Sequence, residues 1–436
     1  MNPLRRDNFV TRGQIDRPVD LPFVFPAFLR TILVCLCLAF CFGSGSADAS
    51  GRSQEEFRGL WVVRHWLKNR EQAMRAVRIA VDARLNALLV QVRGRGDAFY
   101  RSRLVPRSES LSDPDFDPLA LLVEEGHRAG LEVHAWVNIY LTWKPTEQRP
   151  ASQRHVYLQH PEWFMRSADG IDMGRVALDG VDLVERGVTG RFLSPGVPEV
   201  RAHLVGVIEE IVDEYDIDGI HMDYVRYPNI HYDYSPAVNE AFKARYGLDP
   251  AGRNDNEAGA GAGADVTDVR KLWHRWRSEQ VSLLVGQVRD AIARLKPAVR
   301  LSAAVKPDIE SANTQYGQDW IAWSNRGLVD FVVPMFYEGS TPEIDRQMAE
   351  ARKRVEKAGL YAGIGVWNQN ADETVAQIEI ARDRGFQGVV LFSADGFVQQ
   401  EGLTGELHRG PFRAPSALLK EEDPRAETQA GRSGRD

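Results

Sequence analysis

Eight short apolar runs alternate with longer helical patterns between about residue 56 and residue 397, and few architectures accept that rhythm. The runs are FRGLWVVRH (57–65), ALLVQVRG (87–94), LEVHAWVN (131–138), GIHMDYV (219–225), VRLSAAVK (299–306), DFVVPMFYE (330–338), YAGIGVW (361–367) and GVVLFSAD (388–395). Between them lie stretches such as EQAMRAVRIAVDARL (71–85) and PEVRAHLVGVIEEIVDEY (198–215). The second repeats Val200, Leu204, Val207, Ile208, Ile211 and Val212 on one helical face. EEGHRAGLEV and ARDRGFQGVV each close a helix with glycine and enter a strand, the usual helix-to-strand connection. The pattern predicts an α/β protein built as one (β/α)8 TIM barrel with loop insertions. A doubly wound open sheet competes, but no G-x-G-x-x-G follows the first run, and eight units favour closure.

The two ends of the chain differ in kind from this middle. An arginine-bearing N-terminal stretch leads into TILVCLCLAFCF (31–42), and small residues at Ala47 and Ala49 follow as an A-x-A signal. This predicts a secretory signal peptide over residues 1–49, cleaved near Ala49, with the mature chain exported to the periplasm or secreted. A membrane anchor is the alternative, but the apolar run is short of the roughly 20 residues that span a bilayer. A lipoprotein site at LAFC (38–41) is disfavoured by bulky Phe40 before the cysteine. The chain's 3 cysteines, Cys35, Cys37 and Cys41, all lie in this segment. The mature protein is therefore expected to have no disulfide-linked partner, thiol nucleophile or cysteine-bound metal. KEEDPRAETQAGRSGRD (420–436) is charged and nearly free of large apolar residues, so residues 411–436 are expected to form a disordered tail behind a single barrel domain over 50–410. GRNDNEAGAGAGAD (252–265) reads as a flexible loop within it. A formal net charge of -7 argues against a nucleic-acid partner.

Enzymes on this fold carry their chemistry at the C-terminal ends of the strands, and here the polar residues gather there. Period-two alternation sorts them. In GIHMDYV, Gly219, His221 and Asp223 share the lumen face while Ile220, Met222 and Tyr224 share the other. In LEVHAWVN, His134, Trp136 and Asn138 point into the mouth; in the eighth run, Ser393 and Asp395 do so while Val390, Phe392 and Ala394 face the helices. Asp223 thus becomes a carboxylate at the end of a barrel strand, with pairing to Arg226 as the purely structural alternative.

Trp66, Trp136, Tyr140, Trp143, Tyr224, Tyr227, Tyr337 and Trp367 cluster near the expected mouth. Aromatic faces beside carboxylates, Asn and Arg suit a sugar chain, whose C–H faces stack while its hydroxyls need partners; core packing accounts for at least half of the set. Glycoside hydrolysis needs an acid for the leaving oxygen and a second carboxylate. Asp223 fits the second role, since a neighbouring Arg or charged His keeps it ionised. Glu338 is the favoured acid, followed by Asp97 and Asp395, with Asp308 and Glu310 also near. Glu338 must leave regular strand geometry to enter the mouth, because alternation puts it opposite Met335 and Tyr337. RGRGD (93–97) lacks the G-K-[ST] of a phosphate loop and reads as a turn presenting Arg93 and Asp97. No H-E-x-x-H occurs and the first strand lacks H-x-H, so no metal or other cofactor is expected. Lys306 closes the fifth run; a Schiff-base role there lacks any second sign of a carbonyl substrate, and pairing with a carboxylate is preferred.

FRGLWV, QVRGRGDAFY, HAWVN, LSPGVPEVRAHLVGVIEEIVDEYDIDGIHMDYVRYP and VDFVVPMFYE resemble the bacterial glycosyl hydrolase-like 10 family, over most of residues 56–397. The resemblance implies an exported TIM-barrel glycosidase acting on glycans of the bacterial envelope, peptidoglycan strands among them. Asp223 would be its key carboxylate, with Asp97, His134, Asn138, His221, Tyr224 and Arg226 lining the site. The fourth run is also similar to the D-x-x-D-x-D-x-E motif of chitinases, but Val225 stands where that motif has its acid glutamate. The seventh run, YAGIGVWNQ, carries no glutamate either, so the strand-four and strand-seven pair of the largest glycosidase clan is absent. Trp136, Lys306, Tyr337 and Trp367 complete the expected glycan-contacting set. The rival expectation is a carbohydrate-binding barrel without catalysis.

Overall fold

A computed structural model describes residues 56–144, 149–175, 181–250 and 266–414. The expected signal peptide, the 252–265 loop and most of the expected tail lie outside these residues. Eight parallel strands close into a barrel in chain order: β1 (Phe57–Val62), β2 (Ala87–Arg93), β3 (Glu132–Asn138), β4 (Gly219–Asp223), β5 (Arg300–Val305), β6 (Phe331–Phe336), β7 (Gly359–Gly365) and β8 (Gly388–Phe392). The last pairs with the first, Phe57 opposite Gly388. Every one of the eight expected runs contributes one strand.

Helices return each strand to the next, and local chemistry marks their starts. Asn69 accepts a hydrogen bond from the Gln72 amide at the head of Arg70–Asp82. Asp117 accepts from the Ala120 amide, with Pro118 filling a first-turn position that needs no donor, at the head of Pro118–Arg128. Asn370 and Glu373 satisfy each other's backbone amides ahead of Ala371–Asp383. The loop insertions lie at the C-terminal face. The longest described one joins β3 to helix Pro198–Glu214 and contains an antiparallel ribbon, Leu141–Trp143 against Arg191–Phe192.

Apolar side chains fill two compartments, one between strands and helices and one inside the barrel. The lumen is closed at its N-terminal end by Phe57, Phe331 and Tyr361, with ring centroids 4.4 to 5.4 Å apart, and by His134 set edge-on to Phe57 at 5.6 Å. Gly219 makes room for that imidazole: a Cβ there would meet His134 Nδ1 at 2.1 Å. Above this floor Trp61 and Trp136 rise toward the open end.

Two sequence expectations change here. In β8, Val390 and Phe392 lie in the lumen while Val389 and Leu391 pack outward. Both faces of that strand are apolar, so polarity could not reveal its orientation, and the strand stops at Phe392 before Ser393 and Asp395. The barrel also extends past residue 410, because Phe412 is wholly buried with the Arg58 and Arg382 guanidinium groups over its ring.

Candidate active site

The C-terminal strand ends open into a cavity of about 590 Å³. Asp223, the last residue of β4, lines it and is only 8% exposed. Its backbone carbonyl accepts from the Ile139 amide (2.8 Å), continuing the β3–β4 pairing upward, and its carboxylate Oδ1 accepts from the Tyr224 amide (2.6 Å). Burial pushes its carboxyl above the ordinary aspartate range; Arg226, the Tyr224 amide, Trp136 and Lys306 oppose that shift without cancelling it.

Beyond Asp223 the backbone turns into the left-handed region at Tyr224, φ +48°. That turn breaks the strand alternation that would send Tyr224 toward the helices, and its ring lines the cavity instead. The Arg226 guanidinium lies 4.6 Å from the Tyr224 ring centroid and 5.4 Å from that of Tyr316. Lys306, one residue past β5, reaches the same neighbourhood, its Nζ 5.4 Å from the Tyr316 ring. Burial and then Arg226 lower the Lys306 ammonium's pKa, while Glu338 and Asp223 act in the opposite sense. Lys306 therefore sits within the electrostatic reach of both acids.

Glu338 enters the cavity as the alternation argument required. β6 ends at Phe336, the Tyr337 amide bonds back to the Met335 carbonyl (2.9 Å), and Glu338 stands exposed on the rim. Tyr337 packs between Trp61 (6.2 Å), Phe392 (5.5 Å) and Trp367 (4.9 Å). Burial, with Asp223 and Tyr224 adding to it, pushes its phenol far upward, so it is a hydrogen-bonding neutral group at any physiological pH. On the opposite wall Asn138 donates to the Gly94 carbonyl (2.9 Å) and accepts from Gln91 (3.3 Å), whose Oε1 accepts from Arg64 (3.2 Å). Trp136 and Asn138 both line the cavity.

The structure thus brings together Asp223, Glu338, Trp136, Asn138, Tyr224, Arg226, Lys306 and Tyr337, with Trp367 packed on the outer side of Tyr337. Five expected site residues lie elsewhere. His134 shares the correct face but sits four residues below Asn138, roughly 13 Å down the strand, in the barrel floor beside Glu132 and Arg300. His221 lies one layer beneath Asp223, wholly buried: Trp61 Nε1 donates to its Nε2 (3.1 Å), so its Nδ1 carries the proton toward Ser302 Oγ (2.9 Å). Burial holds this imidazole neutral, and no charged histidine flanks the aspartate. Arg93 is sealed in, donating to the Asn138 and Ile139 carbonyls (3.3 Å to the second), where it clamps the end of β3. Asp97 faces a separate cavity of about 300 Å³ and accepts from the Arg95 amide (3.1 Å). Asp395 begins a short helix and ties it to the end of β1 through His65 (2.7 Å) and Trp66 (3.1 Å).

Among the other expected mouth aromatics, Trp143 lines the cavity, whereas Tyr140 and Tyr227 are wholly buried. Sequence reasoning passed over Trp61, Arg64, Gln91 and Tyr316. Gln91 left a readable trace, a lone polar residue between Val90 and Val92 on a strand's lumen face; Tyr316 left none, since it arrives from the loop after helix Ile309–Thr314.

Residues 56–378 match the family model for glycosyl hydrolase-like 10. The chain belongs to that family. It is 30% identical over 323 residues to glycosyl hydrolase YngK of Bacillus subtilis (strain 168), an alignment covering 66% of this chain and 55% of that one. The chain therefore spans about half the length of that relative. Glycosyl hydrolase DigH of Escherichia coli (strain K12) is 25% identical over 374 residues, covering 70% of this chain and 74% of its own. The glycoside hydrolase domain of PgaB (BpsB) from Bordetella bronchiseptica superposes with a TM-score of 0.55 at 12% identity, covering 81% of this chain and 98% of that domain. The β-galactosidase of the psychrophilic Marinomonas ef1 gives 0.56 at 13% identity, covering 80% and 58%. Likeness at those identities shows the shared barrel.

Proposed function

We propose that this chain is an exported glycoside hydrolase that cleaves O-glycosidic bonds in bacterial envelope glycans, with peptidoglycan glycan strands as the candidate substrate. The observation carrying the proposal is Asp223, buried at the end of β4 yet lining the cavity at the strand ends, with Glu338 on the rim of the same cavity. Carboxylates flanking one cleft are what acetal hydrolysis requires. The family supports the reaction, and the A-x-A segment near Ala49 supports export.

The environments of the two acids favour the reverse of the roles assigned from sequence. Asp223 is desolvated, which favours the form that holds a proton, the property of a general acid. Glu338 is in water at the rim, suited to activating a water molecule or meeting the anomeric carbon. In this proposal Asp223 gives its proton to the leaving oxygen as the C–O bond breaks, and Glu338 serves the developing cation. Lys306, within reach of both, stabilises whichever carboxylate is ionised.

Purified glycan strands and an aryl glycoside with a dinitrophenolate leaving group test this. Asp223→Asn is expected to lose turnover on the strands, keep binding them, and recover on the activated aryl substrate, which needs no proton. Equal loss on both substrates would remove Asp223 from the acid's role. A wild-type protein that binds strands and turns over no glycan would instead be a carbohydrate-binding barrel.

A further inference from the structure

We infer that Trp367 is the floor of an outlying sugar subsite, so that this protein grips a run of several sugar units rather than a single linkage. The inference rests on the glycan-hydrolase proposal and deepens it.

Large apolar side chains stand exposed at six described positions, and Trp367, 46% exposed, is the one aromatic among them. An indole left in water carries a hydration cost, which a core position would remove. Nor is this side chain loose. Its ring packs edge-on against Tyr337 (4.9 Å) and Phe392 (5.2 Å), both of which line the central cavity. Gly365 lies under it, where a Cβ would meet the indole at 2.5 Å, and Asn368 fastens the loop by donating to the Tyr337 carbonyl (2.6 Å). The sequence thus spends a glycine and an asparagine side chain on holding a tryptophan outward.

Beyond the indole lies a second open cavity of about 640 Å³, lined by Trp367 together with Asp372, Gln399, Glu401 and Glu406. Its charged lining is acidic, with Glu406 paired to Arg409, whereas the central cavity carries Arg64, Arg95, Lys144, Arg226 and Lys306 beside its acids. Asp372 and Glu401 disfavour a carboxylate-bearing unit there. A ring with an apolar face for the indole and hydroxyls for amide and carboxylate oxygens fits, which is an uncharged pyranose. Trp367 lies between the two cavities and shares partners with the first, so a chain with one unit over Tyr337 places another on the indole.

Glycan strands of graded length, two to ten sugars, provide the test on the mature protein. For the wild type, kcat/KM is expected to climb with length until a unit reaches Trp367. The measured quantity is the ratio of kcat/KM on the longest strand to that on the shortest strand cleaved. Trp367→Ala is expected to reduce this ratio about three- to tenfold, the size of one aromatic stacking contact, and Trp367→Tyr to restore most of it. An unchanged ratio, or a loss equal at all lengths, would overturn the subsite. Should the wild type cleave nothing, the hydrolase proposal fails by itself. Calorimetric titration with the same strands then decides the subsite: a length-dependent gain in affinity lost in Trp367→Ala supports it, and equal affinities refute it.

Discussion

The two ends of the barrel lumen use similar residues to opposite purpose. At the floor, Glu132, Arg300 and His134 surround a cluster of phenyl and phenol rings, and the acid is held below the ordinary glutamate range by His134 and Arg300 despite burial. At the mouth, Asp223 has arginine and lysine nearby yet no ion pair within 4 Å among the described residues, and burial prevails. His134, Gly219 and His221 face the same lumen as Asp223, so facing inward does not make a residue part of the site. Height along the strand decides it. The charged Glu132 at the floor is neutralised by Arg300 from two strands along, whereas a group at the mouth stays available to a ligand.

That contrast breaks most sharply at Asp223. Asp223→Asn keeps the shape of the side chain and removes its proton, so kcat/KM on unactivated glycan strands is expected to fall by about 10²- to 10⁴-fold. The thermal midpoint should stay the same or rise, since a desolvated acid is exchanged for an amide. Steady-state kinetics beside calorimetric melting checks both halves. A large drop in stability with little change in rate would place Asp223 with the floor residues.

The floor should show the opposite pattern. His134→Ala leaves a cavity among Phe57, Phe331 and the Arg300 guanidinium, and removes a partner of Glu132. The expected loss is about 3 kcal/mol, read from the urea midpoint, with kcat/KM on folded protein within about twofold of wild type. A rate loss far beyond that would mean that the floor communicates with the mouth.

Stability also depends on a buried acid just outside the mouth. Asp233 accepts from Ser194 Oγ (2.8 Å) in the loop after β4, and burial raises its pKa to about 6. Because the folded value lies above the unfolded one near 3.9, the protonated form stabilises the fold. That contribution is complete below about pH 4 and is lost as pH rises through about 6. Asp233→Asn should flatten the decline, making the variant about 2 kcal/mol more stable than wild type at pH 8. Asn also accepts the position's φ of +90°. Parallel melting curves for the two proteins from pH 4 to 8 would refute this.

The fold was legible because each strand announced itself by composition and its helix by period, and the count of eight left one closed solution. The lumen face of β4 was equally legible, since Ile220 and Met222 contrast with His221 and Asp223. Three kinds of information were not in the pattern. Alternation gives a face but no height, which misplaced His134 and His221. It fails where both faces are apolar, as in β8, and it stops where the strand stops, which is why Tyr224 and Glu338 enter the cavity against it. Residues brought by loops from outside the strand ends, such as Tyr316, depend on tertiary packing that no local spacing records.

The smallest effect discriminates best between the possible roles of Asp223. Arg226 is the strongest opponent of the burial shift on that carboxyl, so Arg226→Met should raise the Asp223 pKa further. If Asp223 is the proton donor, activity persists until its proton leaves, and the alkaline limb of kcat/KM against pH moves upward. If Asp223 must instead be ionised, the acidic limb moves upward and the alkaline limb stays in place. The height of the profile will fall in either case because Arg226 borders the cavity, but the limb that moves identifies the protonation state in which Asp223 works. An acidic-limb shift would return Asp223 to the ionised role and assign the proton to Glu338.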